Sequence, residues 1–184
     1  MSGDDALYRR YLSGDNAAYD KLMIRYGDSL TFFLYGYLHN WQDAEDLMIE
    51  AFARIMVKKP KIGEGAFKAY LYRTARNLAS RFHTNKHRRQ EFSLEDLEGE
   101  IPDRLLTEEQ VQKQEKKEIL HLCLKRIDPQ FREALWLVYF EDMNYEQAAD
   151  VMNVNKKKID NLLMRGKKHL KEELGKEGIT HAYE

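Results

Sequence analysis

The side chains that could do covalent chemistry are scattered along the chain. The histidines stand at positions 39, 83, 87, 121, 169 and 181. None of them has a serine, cysteine or carboxylate at a recognisable catalytic spacing, and no glycine-rich phosphate loop is present. The single cysteine, Cys123, excludes an internal disulfide and argues against a cysteine-based zinc site. The residue types favour binding over catalysis, so we expect no catalytic residue, no metal and no cofactor.

Three carboxylates have the spacing of one helical face. Asp43, Asp46 and Glu50 follow one another at steps of three and four residues, and side chains at these steps are neighbours on a helix surface. With Leu47, which we expect to be exposed, they form a row suited to docking on a basic helical partner. A solvated acidic face is the alternative interpretation. A metal site is disfavoured because no histidine joins the cluster at a ligand spacing.

The charge of the chain is balanced overall but segregated along it. Lys and Arg number 30 and Asp and Glu number 31, for a net charge of −1. Residues 65–90 hold seven Lys/Arg and no carboxylate, whereas residues 91–118 hold ten Asp/Glu against four Lys/Arg. Residues 155–171 hold seven Lys/Arg against one Asp. Two basic blocks indicate two surfaces that meet a polyanion, although a single block is equally typical of a solvated helix face.

The first basic block also carries aromatic side chains on a predicted helix. Its polar face and extension consist of Tyr70, Arg73, Arg76, Asn77, Arg81, Arg88 and Arg89. Aromatic rings stack on unpaired bases, at about 1–3 kcal/mol per base, while flanking cations hold the backbone. Tyr72 belongs either to this surface or to the core.

Apolar residues at three- and four-residue steps place these charges on helices. We predict helices over 15–26, 29–38, 42–56, 66–82, 110–127, 130–140, 145–152 and 156–174. No segment of useful length alternates as a strand would. The predicted fold is all-α: a domain over 1–90, an acidic linker over 91–109, a second domain over 110–175 and a tail over 176–184.

The last two predicted helices have the spacing of a helix-turn-helix. Ala149 supplies a small contact residue, and Asn153 tolerates the positive φ of the turn. Asn144 with Gln147 resembles a capping box, and Asn155 can cap the second helix. That helix presents side chains able to bind phosphates and base edges. They are Asn155, Lys156, Lys157, Lys158, Asn161, Arg165 and Lys168.

The chain resembles the extracytoplasmic-function (group IV) class of RNA polymerase sigma factors. Segments that carry the resemblance, in family order, are Leu12–Tyr19, Asp43–Leu47 with Glu50, Ala51 and Phe52, Phe67–Leu78, and the terminal helix-turn-helix. The resemblance covers about residues 5–174. It implies two helical domains joined by a flexible linker, in a protein that is not itself an enzyme but gives one its promoter choice.

The resemblance also implies a role for each surface. The first domain would bind the clamp helices of the largest polymerase subunit through Asp43, Asp46, Leu47, Glu50 and Arg54. It would melt the minus-ten element through the polar face of the helix over 66–82 and its basic extension. The second domain would bind the flap of the next-largest subunit and read the minus-thirty-five element through its last helix. Core polymerase, promoter DNA and an anti-sigma factor are the expected partners, without a small-molecule substrate.

Some positions depart from the family pattern. Ile49 stands where the family usually has Gln, and Asn153 where it has Gly. Asp160 and Leu162 stand where Lys and Arg are common. Because Asp160 repels phosphate but can accept a hydrogen bond from a cytosine amino group, we expect an unusual minus-thirty-five preference.

Other function classes stay open on the residues alone. A helix-turn-helix regulator that acts without polymerase explains the C-terminal half but gives residues 43–52 and 70–89 no role. An adaptor that binds only proteins predicts no DNA affinity at any salt concentration, whereas a sigma factor binds DNA with a steep salt dependence. The longest unbroken apolar run, Ala134–Phe140, is far shorter than the roughly 20 residues of a membrane span. We therefore expect a cytoplasmic protein without membrane insertion.

Overall fold

The computed structural model describes residues 3–89 and 119–179, with 83–89 as helical backbone only. The chain divides into two compact units, which fall mainly in these two ranges. All regular structure within them is helical, which confirms the all-α prediction. None of the helices described is long and apolar enough to cross a membrane. The predicted linker over 91–109 lies outside the described residues.

The first unit contains four helices. They are α1 (Gly3–Leu12), α2 (Asn16–Leu38), α3 (Trp41–Lys58) and α4 (Phe67–Arg89). Side chains cap two of them: Asp15 accepts a hydrogen bond from the Ala18 amide at 3.3 Å, and Asn40 accepts one from the Asp43 amide at 2.9 Å. Each such cap satisfies a backbone donor that the helix itself leaves unpaired.

Helix α2 corrects the sequence prediction of two helices over 15–26 and 29–38. A glycine inside a helix costs about 1 kcal/mol relative to alanine, and Gly27 lies between the two predicted segments. The helix continues because Tyr26 and Leu30, on either side of Gly27, are both buried in the core. Tertiary packing outweighs the local preference of one residue.

Aromatic rings fill much of the core of this unit. Tyr19 packs edge-on against Phe52, with ring centroids 5.8 Å apart. Tyr72 is fully buried, its ring lies 5.1 Å from that of Phe33, and its hydroxyl lies 2.9 Å from Ser29 Oγ. Of the two roles that the sequence left open for Tyr72, the structure therefore selects core packing.

The second unit begins, within the described range, with the helix α5 over 119–126. It continues with α6 (Pro129–Leu135), a π-helical turn (Trp136–Phe140), α7 (Tyr145–Met152) and α8 (Lys156–Lys176). Pro129 opens α6, where its missing N–H costs little. The π-helical turn was not predicted: the Glu141 amide donates to the Trp136 carbonyl at 3.1 Å, five residues back.

Helices α6 and α8 touch at Gly166. A Cβ built at this position would lie 3.1 Å from Phe131 Cβ and 3.2 Å from Leu135 Cδ1. A Cβ at Gly175, further along the same helix, would meet nothing within 4 Å. The close approach of the two helices therefore requires a residue without a side chain at 166 and makes no such demand at 175.

We predict that Gly166→Ala destabilises the second unit by about 1–3 kcal/mol, because the added methyl overpacks the contact. Gly175→Ala is the matched control and should stabilise it by up to about 1 kcal/mol through helix propensity alone. Urea unfolding of full chains carrying Trp41→Phe, with Trp136 as the fluorescent reporter, measures both. Equal effects of the two substitutions would contradict the close contact.

Candidate nucleic-acid and partner interfaces

The predicted carboxylate row lies on α3. Asp46 and Glu50 are exposed, while Asp43 is partly buried in the first turn of the helix. A carboxylate in the first turn is favoured by the positive end of the helix dipole. Ile49, next to Glu50, is 52% exposed. The row is therefore an acidic surface with one apolar side chain in it.

Two residues predicted for this surface take other positions. The expectation that Leu47 is exposed is wrong: it is 6% exposed, because it falls on the apolar stripe of α3 that also holds Ala51 and Ile55. Arg54 pairs with Glu50, its Nη2 and Nε lying 2.6 and 3.0 Å from Glu50 Oε1. Leu47 thus supports the helix from within, and Arg54 partly neutralises the end of the row.

A basic pocket of about 170 Å³ lies between α3 and α4. Its lining consists of Arg54, Ile55, Lys58, Tyr70, Thr74, Asn77 and Arg81. From the set predicted to bind the minus-ten element, the pocket brings together Tyr70, Asn77 and Arg81. Within this lining, Thr74 Oγ1 donates to the Tyr70 carbonyl at 2.8 Å, four residues earlier on α4.

Other members of the same predicted set do not line the pocket. Arg73 is exposed and Arg76 is partly buried on α4. The side chains of Arg88 and Arg89 lie outside those that the structure describes. The sequence analysis missed Lys58, whose signal was its position four residues after Arg54 at the end of the same helix.

The helix-turn-helix has the local geometry that the sequence predicted. Asn153 has a φ of +54°, and the Val154 amide donates to the Ala149 carbonyl at 3.0 Å. Asn144 and Gln147 exchange the two bonds of a capping box, at 2.9 and 3.1 Å. Asn155 Oδ1 accepts the Lys158 amide at 2.8 Å. The structure therefore confirms the predicted turn and the predicted caps.

Helix α8 exposes every residue of the predicted minus-thirty-five set. The exposed residues are Asn155, Lys156, Lys157, Lys158, Asn161, Arg165 and Lys168, with Asp160 among them. Besides Asn155, which caps the helix, two of them contact other side chains of the unit: Lys156 Nζ lies 3.3 Å from Glu146 Oε1, and the Arg165 guanidinium lies 5.2 Å from the Phe131 ring centre. Leu162 is buried, so it packs the core and offers no side chain to DNA.

An aromatic surface on the second unit was not predicted. Trp136 stacks on Phe140 at 4.5 Å between ring centres, and Phe140 is 43% exposed. The Tyr139 ring is also exposed, with Lys167 Nζ 4.8 Å from its centre. A hydrogen bond with Tyr139 raises the pKa of Lys167. The apolar run over 134–140 has the pattern of a core segment. Its last two residues, Tyr139 and Phe140, are exposed at the end of the π-helical turn.

The different burial of two neighbouring residues on α3 predicts different mutant behaviour. Leu47→Ala should lower the free energy of unfolding of the first unit by about 2–5 kcal/mol, because it opens a cavity in the core. Asp46→Ala should change it by less than about 0.5 kcal/mol. Urea unfolding of Trp136→Phe chains, followed through Trp41, measures both; a neutral Leu47→Ala would place this side chain at the surface.

Comparisons with known proteins agree with this geometry. Residues 22–89 match the Sigma-70 region 2 family and residues 117–170 the Sigma-70, region 4 family. The chain is 27% identical over 152 residues to the ECF RNA polymerase sigma factor SigM of Bacillus subtilis, covering 83% of this chain and 92% of that protein. It is 28% identical over 163 residues to the RNA polymerase sigma-H factor of Pseudomonas aeruginosa, covering 81% and 82%.

Solved structures share the fold. CnrH, in complex with the cytosolic domain of CnrY, is 20% identical with a TM-score of 0.66, covering 95% of this chain and 98% of CnrH. The sigma factor RpoE of Bartonella quintana, in complex with the anti-sigma factor NepR, is 19% identical with a TM-score of 0.66, covering 85% and 96%. The chain matches both region 2 and region 4 and is similar to these sigma factors. The protein therefore belongs to the RNA polymerase sigma factors of the extracytoplasmic-function type.

Proposed function

We propose that α3 serves both tasks of the first unit in this sigma factor, which are polymerase binding and capture of a promoter strand. Its first turns carry Asp43, Asp46 and Glu50, and its last turns carry Arg54 and Lys58. The acidic part would dock on the largest polymerase subunit, and the basic end would hold the promoter strand in the pocket shared with α4. This division of one helix into an acidic and a basic part is the observation that carries the proposal.

The dimensions and chemistry of the pocket favour a single strand over a duplex. A volume of about 170 Å³ has room for one base or phosphate group, not for paired strands. Tyr70 offers a ring on which a base can stack, and Asn77 offers an amide that can donate to or accept from a base edge. Arg81 and Lys58 supply charge for the backbone. The pocket would therefore capture a nucleotide of the minus-ten element as it leaves the duplex.

The second unit would grip duplex DNA through α8. Its lysines suit phosphates, and Asn161 can make the paired hydrogen bonds by which asparagine recognises adenine. Asp160, one residue before, can accept only from a donor such as the cytosine amino group. The aromatic surface formed by Trp136, Tyr139 and Phe140 has the composition of a protein-binding site, and we assign it to the flap of the second-largest subunit.

Two further roles follow from the same proposal. The protein would act in the bacterial cytoplasm as a group IV sigma factor. It would act only by binding its partners and would catalyse no reaction itself. An anti-sigma factor would restrain it, by analogy with RpoE, which was solved with NepR. Such a partner would compete with polymerase for the acidic row on α3.

Charge reversal tests the polymerase surface. The triple variant Asp43→Lys, Asp46→Lys, Glu50→Lys should lose at least tenfold in affinity for core polymerase and lose promoter-specific transcripts, because like charges then face a basic partner. Asp20→Lys, an exposed reversal on α2, is the matched control and should retain both. Affinity for core polymerase and transcription from a library of selected promoters are the measurements.

The outcomes separate the function classes. Unchanged polymerase affinity in the triple variant would contradict the assignment of the surface. A wild-type chain that binds duplex DNA but not polymerase would be a stand-alone regulator, and one that binds neither would be an adaptor. Selected promoters that carry the common family consensus at minus thirty-five would contradict the base contacts proposed for Asp160 and Asn161.

Substitutions in the pocket test strand capture. Asn77→Ala and Arg81→Ala should each weaken binding of a single-stranded minus-ten oligonucleotide by about fivefold to a hundredfold, the range expected for loss of a base or backbone contact. They should leave affinity for a minus-thirty-five duplex unchanged. Lys21→Ala removes a charge from the same unit outside the pocket and serves as control. A loss equal to that of the control would refute strand capture by the pocket.

A further inference from the structure

Helix α1 is hydrogen-bonded to both ends of the loop over residues 59–66, which joins α3 to α4. The Tyr8 hydroxyl donates to the Pro60 carbonyl at 2.8 Å. At the other end of the loop, the Gly65 amide donates to Asp5 Oδ2 at 2.7 Å. The Tyr11 hydroxyl adds a bond to the Met56 carbonyl at 2.9 Å, in the last turn of α3. One short helix thus holds the beginning and the end of the loop.

The α1 side chains that make these bonds are buried. Asp5, Tyr8 and Tyr11 are 5%, 3% and 4% exposed. Burial raises the pKa of Tyr8 to about 12, so its hydroxyl keeps its proton and stays a donor at physiological pH. The Tyr8 ring also packs 5.2 Å from Phe67, the first residue of α4. A buried carboxylate that loses its donor is left without compensation for its desolvation.

The loop needs such support because its backbone is unusual. Lys59 has a φ of +44°, which is uncommon for a residue with a side chain, and Gly65 has a φ of +72°. Lys59 Nζ lies 5.2 Å from the centre of the Tyr11 ring, which adds a cation–π contact from α1. Conformations of this kind persist where surrounding structure fixes them.

Both ends of the loop lead directly into walls of the basic pocket. Lys58, which lines the pocket, precedes the loop, and Tyr70 follows it by one turn, its amide donating to the Ala66 carbonyl at 2.9 Å. None of the lining residues belongs to α1, and α1 also precedes the residues that match Sigma-70 region 2. The loop therefore connects the α3 and α4 walls at this end of the pocket, and its conformation constrains where the two helix ends lie.

We infer that α1 is a brace for the pocket and that Asp5 and Tyr8 are positioning residues for it, setting the loop without touching the bound strand. This inference rests on the proposed function of the pocket. The bonds that Asp5 and Tyr8 make to the loop would then set the geometry of the site and would not serve only to stabilise the fold.

Hydrogen exchange and NMR of the free protein test whether α1 is a brace for the pocket. In Asp5→Ala the Gly65 amide loses its acceptor, so its hydrogen exchange should accelerate by about fivefold to tenfold, the factor that one hydrogen bond corresponds to. NMR signals of the Tyr70 ring and the Asn77 side-chain amide should shift. Asp5→Asn keeps an oxygen acceptor and should restore both signals, and Tyr8→Phe should shift them by releasing Pro60. Unchanged Gly65 exchange and pocket signals in Asp5→Ala would overturn the inference.

The matched control is Tyr19→Phe. The buried Tyr19 hydroxyl donates to the Phe52 carbonyl within α3, and the Tyr19 ring lies 4.5 Å from that of Tyr11, so this control removes a bond beside α1 that does not reach the loop over 59–66. This variant should lose stability comparably to Tyr8→Phe without changing Gly65 exchange or the pocket signals. If it changes them as much as Tyr8→Phe does, α1 contributes general stability only, and the inference is wrong.

Binding of a single-stranded minus-ten oligonucleotide links the brace to function. Asp5→Ala and Tyr8→Phe should weaken it by about fivefold, Asp5→Asn by less than twofold, and Tyr19→Phe not at all. Unchanged affinity in Asp5→Ala, with a wild type that binds through Asn77 and Arg81, would overturn the positioning role. A wild type that binds no single strand, while the NMR effects occur as expected, would instead refute the proposed function of the pocket and leave the brace standing.

Discussion

Burial of the apolar stripe on α3 is the interaction on which the first unit depends. Ala44, Leu47, Ala51, Phe52 and Ile55 are buried where α3 packs against α2 and α4. Their spacing fixes the rotation of the helix, because burying this stripe leaves only one orientation for the rest. Asp46, Glu50 and the terminal Lys58 therefore face outward, while Asp43 stays partly buried in the first turn.

Under the proposed function, this constraint would let one helix serve two partners. Glu50 and Arg54 form an ion pair at the junction between its acidic and basic parts. An exposed pair of this kind adds little stability. It places opposite charges at a defined boundary, between the surface proposed for polymerase and the pocket proposed for the promoter strand.

The second unit uses close packing where the first uses aromatic rings. Gly166 lets α8 approach α6, while Ile159, Leu162 and Leu163 anchor the buried side of α8. Because this side is fixed, the charged residues of α8 form one continuous exposed surface.

The sequence alone determined the features that depend on neighbours along the chain. Helical periodicity gave the all-α fold, and short-range hydrogen bonding gave the capping box at Asn144 and the turn at Asn153. Three features needed the tertiary structure: the burial of Leu47, the π-helical turn after Leu135, and the pocket that unites Arg54 and Lys58 with α4. The bonds from α1 to the loop over 59–66 belong with them, since Asp5 and Gly65 meet across 60 residues. Local pattern fixes which side of a helix is apolar, but only packing decides which distant groups share a site.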